Sequence, residues 1–204
     1  LEPRLHRRRE HRVPLVERSG RPGILRRPRR QSSPPLVYFW QGVCTAARVL
    51  SVALIVAIDP GVNGGLALLD QDGLVTVQKM PGTDYEVVSF LVDVSNTAKE
   101  IDCYLEEPPL FAGKNIPGSA IGKLMWNTGV LYGAAVCLGW KMHRVRPAIW
   151  QKAHTVGKKG ERSTTEFKNA LKARAAELFP TVDVTLWSAD ALLILDAARR
   201  GAIN

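Results

Sequence analysis

IVAIDPGVNGG, residues 55–65, is an apolar run that stops at an acid, a proline and a glycine-rich turn. The run starts a little earlier, and Val52-Ala53-Leu54-Ile55-Val56-Ala57-Ile58 has the length and β-branched content of a strand buried on both faces, as central and parallel strands are. Asp59 therefore stands at the exit of a core strand. A carboxylate beside a dry interior loses hydration, so it must be paired, hydrogen-bonded, protonated or bound to a cation. Asp-Pro-Gly is also good turn chemistry, and capping that turn would by itself account for Asp59. The two readings part only if other acids arrive at the same place.

Downstream, GLALLD and LVTVQKM are short strand-like runs joined by Gln-Asp-Gly, which predicts an antiparallel meander. In YEVVSFLVDVSNTAKE the spacing of Val87, Val88, Leu91, Val92 and Val94 predicts a crossover helix. IDCYLEEPPL then alternates Ile101, Cys103 and Leu105 with polar partners before Glu106, Glu107 and two prolines, a second strand that ends in acid. Strands that enter a sheet from the same side leave their ends together, so Asp59 and Glu106 can meet. A third acid, Asp190, opens the helix in WSADALLILDAARR, whose Ala, Leu and Ile content predicts burial on most of its surface. Ser188 is expected as its N-cap, with Asp190 in the first turn where the helix dipole favours an anion.

Charge is segregated along the chain. Residues 1–50 carry twelve Arg, no Lys and three Glu, a net +9, while 51–204 carry sixteen basic and sixteen acidic side chains. Within that neutral body, 51–140 has four Lys against ten acids and 141–204 has twelve basic residues against six acids. The Arg- and Pro-rich opening lacks apolar periodicity and is expected to be disordered. It reads either as a basic arm for phosphates or, as we expect, as sequence upstream of the natural start, since it uses Arg to the exclusion of Lys. The domain is placed at 51–204. Residues 36–58 are apolar enough to raise a membrane span, but Arg48 and Gln41 interrupt them and their last seven residues serve better as the first strand. Cys44, Cys103 and Cys137 show no paired spacing, so neither a disulfide framework nor a zinc site is indicated, and a cytoplasmic location is expected.

The basic half fits a nucleic-acid surface. From Lys141 to Arg174 ten basic residues face only Glu161 and Glu166, and GKKGER, with Lys158, Lys159 and Arg162, reads as a loop that can reach phosphates. Ser163-Thr164-Thr165-Glu166 is a capping box, followed by Phe167, Ala170, Leu171, Ala175 and Leu178 on one helical face, which puts Lys168 near the front of a core-packed helix. After the second acidic strand, Phe111 and Lys114 stand in a loop beside the acids, where an aromatic could stack on an unpaired base.

Taken in order, IDPGVNGG, YLEEPP, VRPAIWQKA and SADALLILDA resemble the RuvC-like Holliday-junction resolvases, especially the compact bacteriophage versions, over residues 51–200. The resemblance implies an α/β fold: an RNase H-like mixed sheet with antiparallel first three strands and helices on both faces. It further implies a homodimeric, Mg²⁺-dependent endonuclease of DNA recombination and repair that hydrolyses phosphodiester bonds in branched DNA and four-way junctions, without a membrane, and with Mn²⁺ expected to substitute. By the same resemblance Asp59, Glu106 and Asp190 bind metal, and Lys152 and Lys168 are basic residues beside it. Hard oxygen ligands suit Mg²⁺, and two such ions can activate a water and stabilise the leaving oxygen. The family commonly carries a fourth acid three or four residues before the helix acid, where this chain has Trp187 and Leu186. Asp196, Asp183 and Glu107 are the alternatives, although Asp196 lies about 240° around the helix from Asp190. The helix within SAIGKLMWNTGVLYGAAVCLG, rich in small residues and aromatics, is the dimerisation candidate, with an ordinary core helix as its alternative. Two other readings stand beside the nuclease: a catalytically inactive nucleic-acid-binding relative, and an actin-like or sugar-kinase-like nucleotide-binding protein, because DPGVNGG also resembles that superfold's phosphate hairpin.

Overall fold

The computed structural model describes residues 53–109, 117–156 and 162–203. The apolar run forms β1 (Ala53–Asp59), followed by β2 (Gly65–Leu69) and β3 (Val75–Lys79), as the meander predicts. Next come α1 (Asp84–Ser95), β4 (Glu100–Glu106), α2 (Gly118–Cys137) and β5 (Lys141–Val145). Three helices end the described chain: α3 (Pro147–Ala153), α4 (Thr164–Leu178) and α5 (Ala189–Arg199). The five strands make one sheet in the order β3-β2-β1-β4-β5, antiparallel from β1 through β3 and parallel from β1 through β4 to β5. The mixed sheet with its antiparallel first three strands is thus the architecture expected.

Period-two alternation sorts the strand residues between two cores. Leu54, Val56 and Ile58 of β1, with Ile101, Cys103 and Leu105 of β4, pack under Val87, Phe90, Leu91 and Val94 of α1 and Leu131 and Ala135 of α2. Ala57 and Ala67 face the other way, against Phe167, Leu171 and Ala175 of α4 and the run Ala191–Leu195 of α5. Small side chains on that face let α5 lie close to β1 and β2. Every residue of α5 from Ala189 to Ala198 is buried, as its composition predicts.

Helix α1 begins with a capping box, Thr83 bonded to the Glu86 N–H and Glu86 reaching back to the cap, and α4 begins with the same device at Ser163 and Glu166. Ser188 departs from expectation. It sits at the N-cap position of α5, but its backbone is helical and its hydroxyl makes no cap bond. Instead it accepts from the Thr185 N–H at 2.9 Å, because a turn already leads into the helix and the Ala189 N–H is taken by the Thr185 carbonyl at 3.1 Å. No helix among the described residues is long and apolar enough to cross a membrane. The opening arm lies outside the described residues.

Candidate active site

The β1–β4 register ends with Ile58 opposite Leu105, so the next residues along the two strands are Asp59 and Glu106. Both have the parity of Ala57 and Tyr104, which face the α5 side of the sheet. Helix α5 crosses that face with Asp190 in its first turn. Two strand ends and one helix start therefore deliver three acids to one cleft of about 420 Å³, which Gln151 and Lys168 also line.

Each acid is held differently. Asp59 Oδ1 accepts from the Gly61 N–H at 3.0 Å, and the turn is so tight that a Cβ on Gly64 would lie 2.6 Å from Asp59 Oδ2. Only glycine fits there. Gly65 is equally constrained, since its Cβ would come within 2.8 Å of the Trp187 ring. Glu106 Oε1 accepts a 3.3 Å bond from Nε1 of the fully buried Trp150. Asp190 Oδ2 pairs with Lys168 Nζ at 3.1 Å, while Oδ1 is buried without a hydrogen-bond partner.

Burial raises the Asp59 carboxyl above its ordinary value and Asp190 adds to this, against the Gly61 bond and Lys168. Burial, reinforced by Asp59 and Asp190, pushes Glu106 up to about 8. Burial works against the charge on Lys168, yet Asp190, Asp59 and Glu106 outweigh it and hold its ammonium above the usual lysine value. The cleft thus concentrates negative charge beyond what one lysine neutralises, and a buried acceptor on Asp190 remains open. Carboxylates are hard oxygen donors of the kind that could hold a divalent cation. Among the described residues no group of three or more His, Cys, Asp or Glu side chains stands in a geometry that could hold a metal ion.

The other expected residues divide. Lys152 is exposed and does not line the cleft; Gln151, one position earlier, does. Trp150 anchors the phase of α3, and at 100° per residue Gln151 follows it to the cleft while Lys152 points about 200° away. Arg162 is exposed ahead of α4 and does not line the cleft. Phe111, Lys114, Lys158 and Lys159 lie outside the described residues. Of the three candidates for a fourth acid, Glu107 lines the cleft but is engaged by Arg144 Nη2 at 2.6 Å. Asp183 is exposed and away from it. Asp196 is fully buried and held by Arg199 and Arg200. Sequence reasoning missed Trp150 and Gln151 as site residues; the spacing of Pro147, Trp150, Gln151 and His154 along one helical face is the signal that could have found them.

No protein-family model matches this sequence, and no curated protein matches it. Solved structures do. Thermus thermophilus RuvC in complex with a Holliday junction substrate aligns at a TM-score of 0.51 and 17% identity, over 74% of this chain and 98% of that one. Another Thermus thermophilus RuvC structure aligns at 0.49 and 18%, with the same coverage. At such identity the likeness is one of fold, and the chain has the mixed α/β fold of Thermus thermophilus RuvC.

Proposed function

We propose that this chain is a divalent-metal-dependent endonuclease that cuts branched DNA, four-way junctions above all. The observation that carries the reading is the convergence of Asp59, Glu106 and Asp190 on one cleft of a RuvC-like fold, with a buried acceptor left open at Asp190 Oδ1. An all-carboxylate donor set suits Mg²⁺ or Mn²⁺, and these three residues would hold it. When bound there, such a metal would supply an activated water and stabilisation of the leaving oxygen.

The chain's own groups set the stage for that chemistry. Lys168, beside Asp190, would neutralise charge on a phosphate entering the cleft. The Trp150 N–H orients Glu106, and the Gly61 N–H orients Asp59. The proposed DNA path runs from the cleft toward the basic half, where Arg162 is exposed, and Phe111, Lys114, Lys158 and Lys159 are proposed contacts on the strength of the sequence alone. A homodimer is part of the proposal, because a two-fold assembly matches the symmetry of a four-way junction. Helix α2 supports it with Met125, Trp126, Tyr132 and Val136 exposed on its outer side.

A second reading, a DNA-binding relative that does not cleave, draws on the lysine at Asp190 and on the lack of a closed three-ligand cluster among the described residues. One experiment separates the two: incubation with junction, duplex and single-stranded DNA in Mg²⁺, for the wild type and Asp59→Asn. The nuclease reading expects junction cleavage by the wild type. In Asp59→Asn it expects cleavage lost and junction binding retained or strengthened, with circular dichroism confirming the fold. Junction binding without cleavage by the wild type would establish the second reading, and cleavage by Asp59→Asn above a few per cent of wild type would remove Asp59 from the ligand set.

A further inference from the structure

The Asp59 turn is gripped from outside as well as from within. Asn127 is half-buried on α2, one turn before Leu131 in the core-facing stripe that continues through Ala135 and Leu138 at helical spacing. An amide on an apolar stripe needs a partner. Its partner is the carbonyl of Pro60, which accepts from Asn127 Nδ2 at 2.6 Å. The identity of that carbonyl matters, because the Pro60 C=O and the Gly61 N–H belong to a single planar peptide unit. The same Gly61 N–H donates to Asp59 Oδ1 at 3.0 Å. Asn127 therefore holds one edge of a rigid plate whose opposite edge holds the carboxylate.

Among the described residues no other hydrogen bond in the turn performs this task. The Gly64 N–H donates to the Gly61 carbonyl at 2.8 Å and the Met80 N–H to the Gly64 carbonyl at 3.0 Å, and both bonds fix the chain beyond the Pro60–Gly61 plate. Without a grip on the Pro60 carbonyl, the plate can rotate about its Cα–Cα axis and carry the Gly61 N–H away from Oδ1. We propose that Asn127 is a positioning residue for Asp59, acting through the Pro60–Gly61 peptide plane. Its meaning for catalysis rests on the nuclease reading above; its effect on the turn does not.

The test uses the full chain. Asn127→Leu keeps the size of the side chain and removes the donor, and Asn127→Asp keeps the shape and also removes it. The primary readout is hydrogen exchange at the Gly61 amide in metal-free protein. About fivefold or more faster exchange is expected in both variants, the weight of one net hydrogen bond, with the β1 and β4 amides of Val56 and Leu105 unchanged. The secondary readout is cleavage of junction DNA against Mg²⁺ concentration. The half-maximal Mg²⁺ in Asn127→Leu is expected to rise several-fold while junction affinity stays put, a split that general loosening of the fold does not produce. Thr128→Val, one position on, is expected to change neither. Unchanged exchange at Gly61 in both variants overturns the proposal, and so does exchange accelerated equally at Gly61, Val56 and Leu105. Should Asn127→Leu fail to fold, Asn127→Asp carries the exchange reading. Should the wild type cleave no DNA, the nuclease reading falls and the Gly61 amide still decides the role of Asn127.

Discussion

Helix α5 carries two buried aspartates, and they are built for opposite ends. Asp196, near its last turn, is saturated: Oδ1 accepts from Nε and Nη2 of Arg199 at 3.0 and 2.7 Å, and Oδ2 accepts from Nε of Arg200 at 2.7 Å. Asp190, in the first turn, has one lysine on one oxygen and nothing on the other. Burial alone does not distinguish them, since both are under one tenth exposed. Unused acceptor capacity does. A carboxylate closed by two guanidiniums is a brace for the end of a helix, whereas one with an unpartnered oxygen beside further acids can still accept a cation.

The largest effect expected from breaking this contrast is on cleavage. Asp190→Asn removes a proposed ligand, and loss of a ligand exceeds the ten- to hundredfold typical of residues that merely support one, so junction cleavage falls by more than about a hundredfold. Its stability changes by less than about 1 kcal/mol, because Lys168 is half exposed and can rehydrate. Cleavage assays beside thermal melts check both halves.

Asp196→Ala reverses the pattern. Removing a buried member of an ion-pair network costs about 2–4 kcal/mol here, toward the lower end because Arg199 and Arg200 are partly exposed. Cleavage per folded molecule stays near wild type. If Asp196→Ala melts like wild type, or loses cleavage while folded, the division of labour along α5 is wrong.

The smallest effect sharpens the comparison through pH. Glu106 holds its proton up to about 8, chiefly through burial and then through the charges of Asp59 and Asp190, against an ordinary glutamate value of 4.5. The folded protein thus binds this proton more tightly than the unfolded chain does. The resulting stability is fully present below about 4.5 and is lost as pH rises through about 8. His154, kept below its usual value by burial, slopes the other way, so the measurement is a difference between variants. In metal-free protein, the loss of stability from pH 5 to 8 is expected to be shallower in Asp190→Asn than in wild type by on the order of 1 kcal/mol. Equal slopes in wild type and Asp190→Asn would mean that Asp190 does not act on Glu106.

Much of this was legible in the sequence, and the physical reason is specific. Asp59 and Glu106 each end a run whose alternation or β-branching marks a strand, and parallel pairing needs only one register to bring such ends together. Asp190 opens a helix too apolar to lie anywhere but in the core. The readings that missed depend on rotation rather than on periodicity. Lys152 and Gln151 differ by one step around a helix of seven residues, and Trp150 decides which of them faces the cleft. Ser188 has the right identity for a cap, but the preceding turn claims its hydroxyl. Asn127 reads as an ordinary helix residue until the Pro60 carbonyl is found opposite it, 67 positions away in the chain.

Because β1 pairs in parallel with β4 and is roofed by α5, the cleft is assembled from segments that are made far apart in time. During synthesis, β1 and β2 must wait with the face of Ala57 and Ala67 uncovered until the last described helix arrives. Long-range pairing of this kind closes slowly, and the waiting face is a place where a nascent chain can stick to its neighbours. A partly made chain holds Asp59 and Glu106 without Asp190 or Lys168, so the three-acid cleft cannot precede the arrival of α4 and α5.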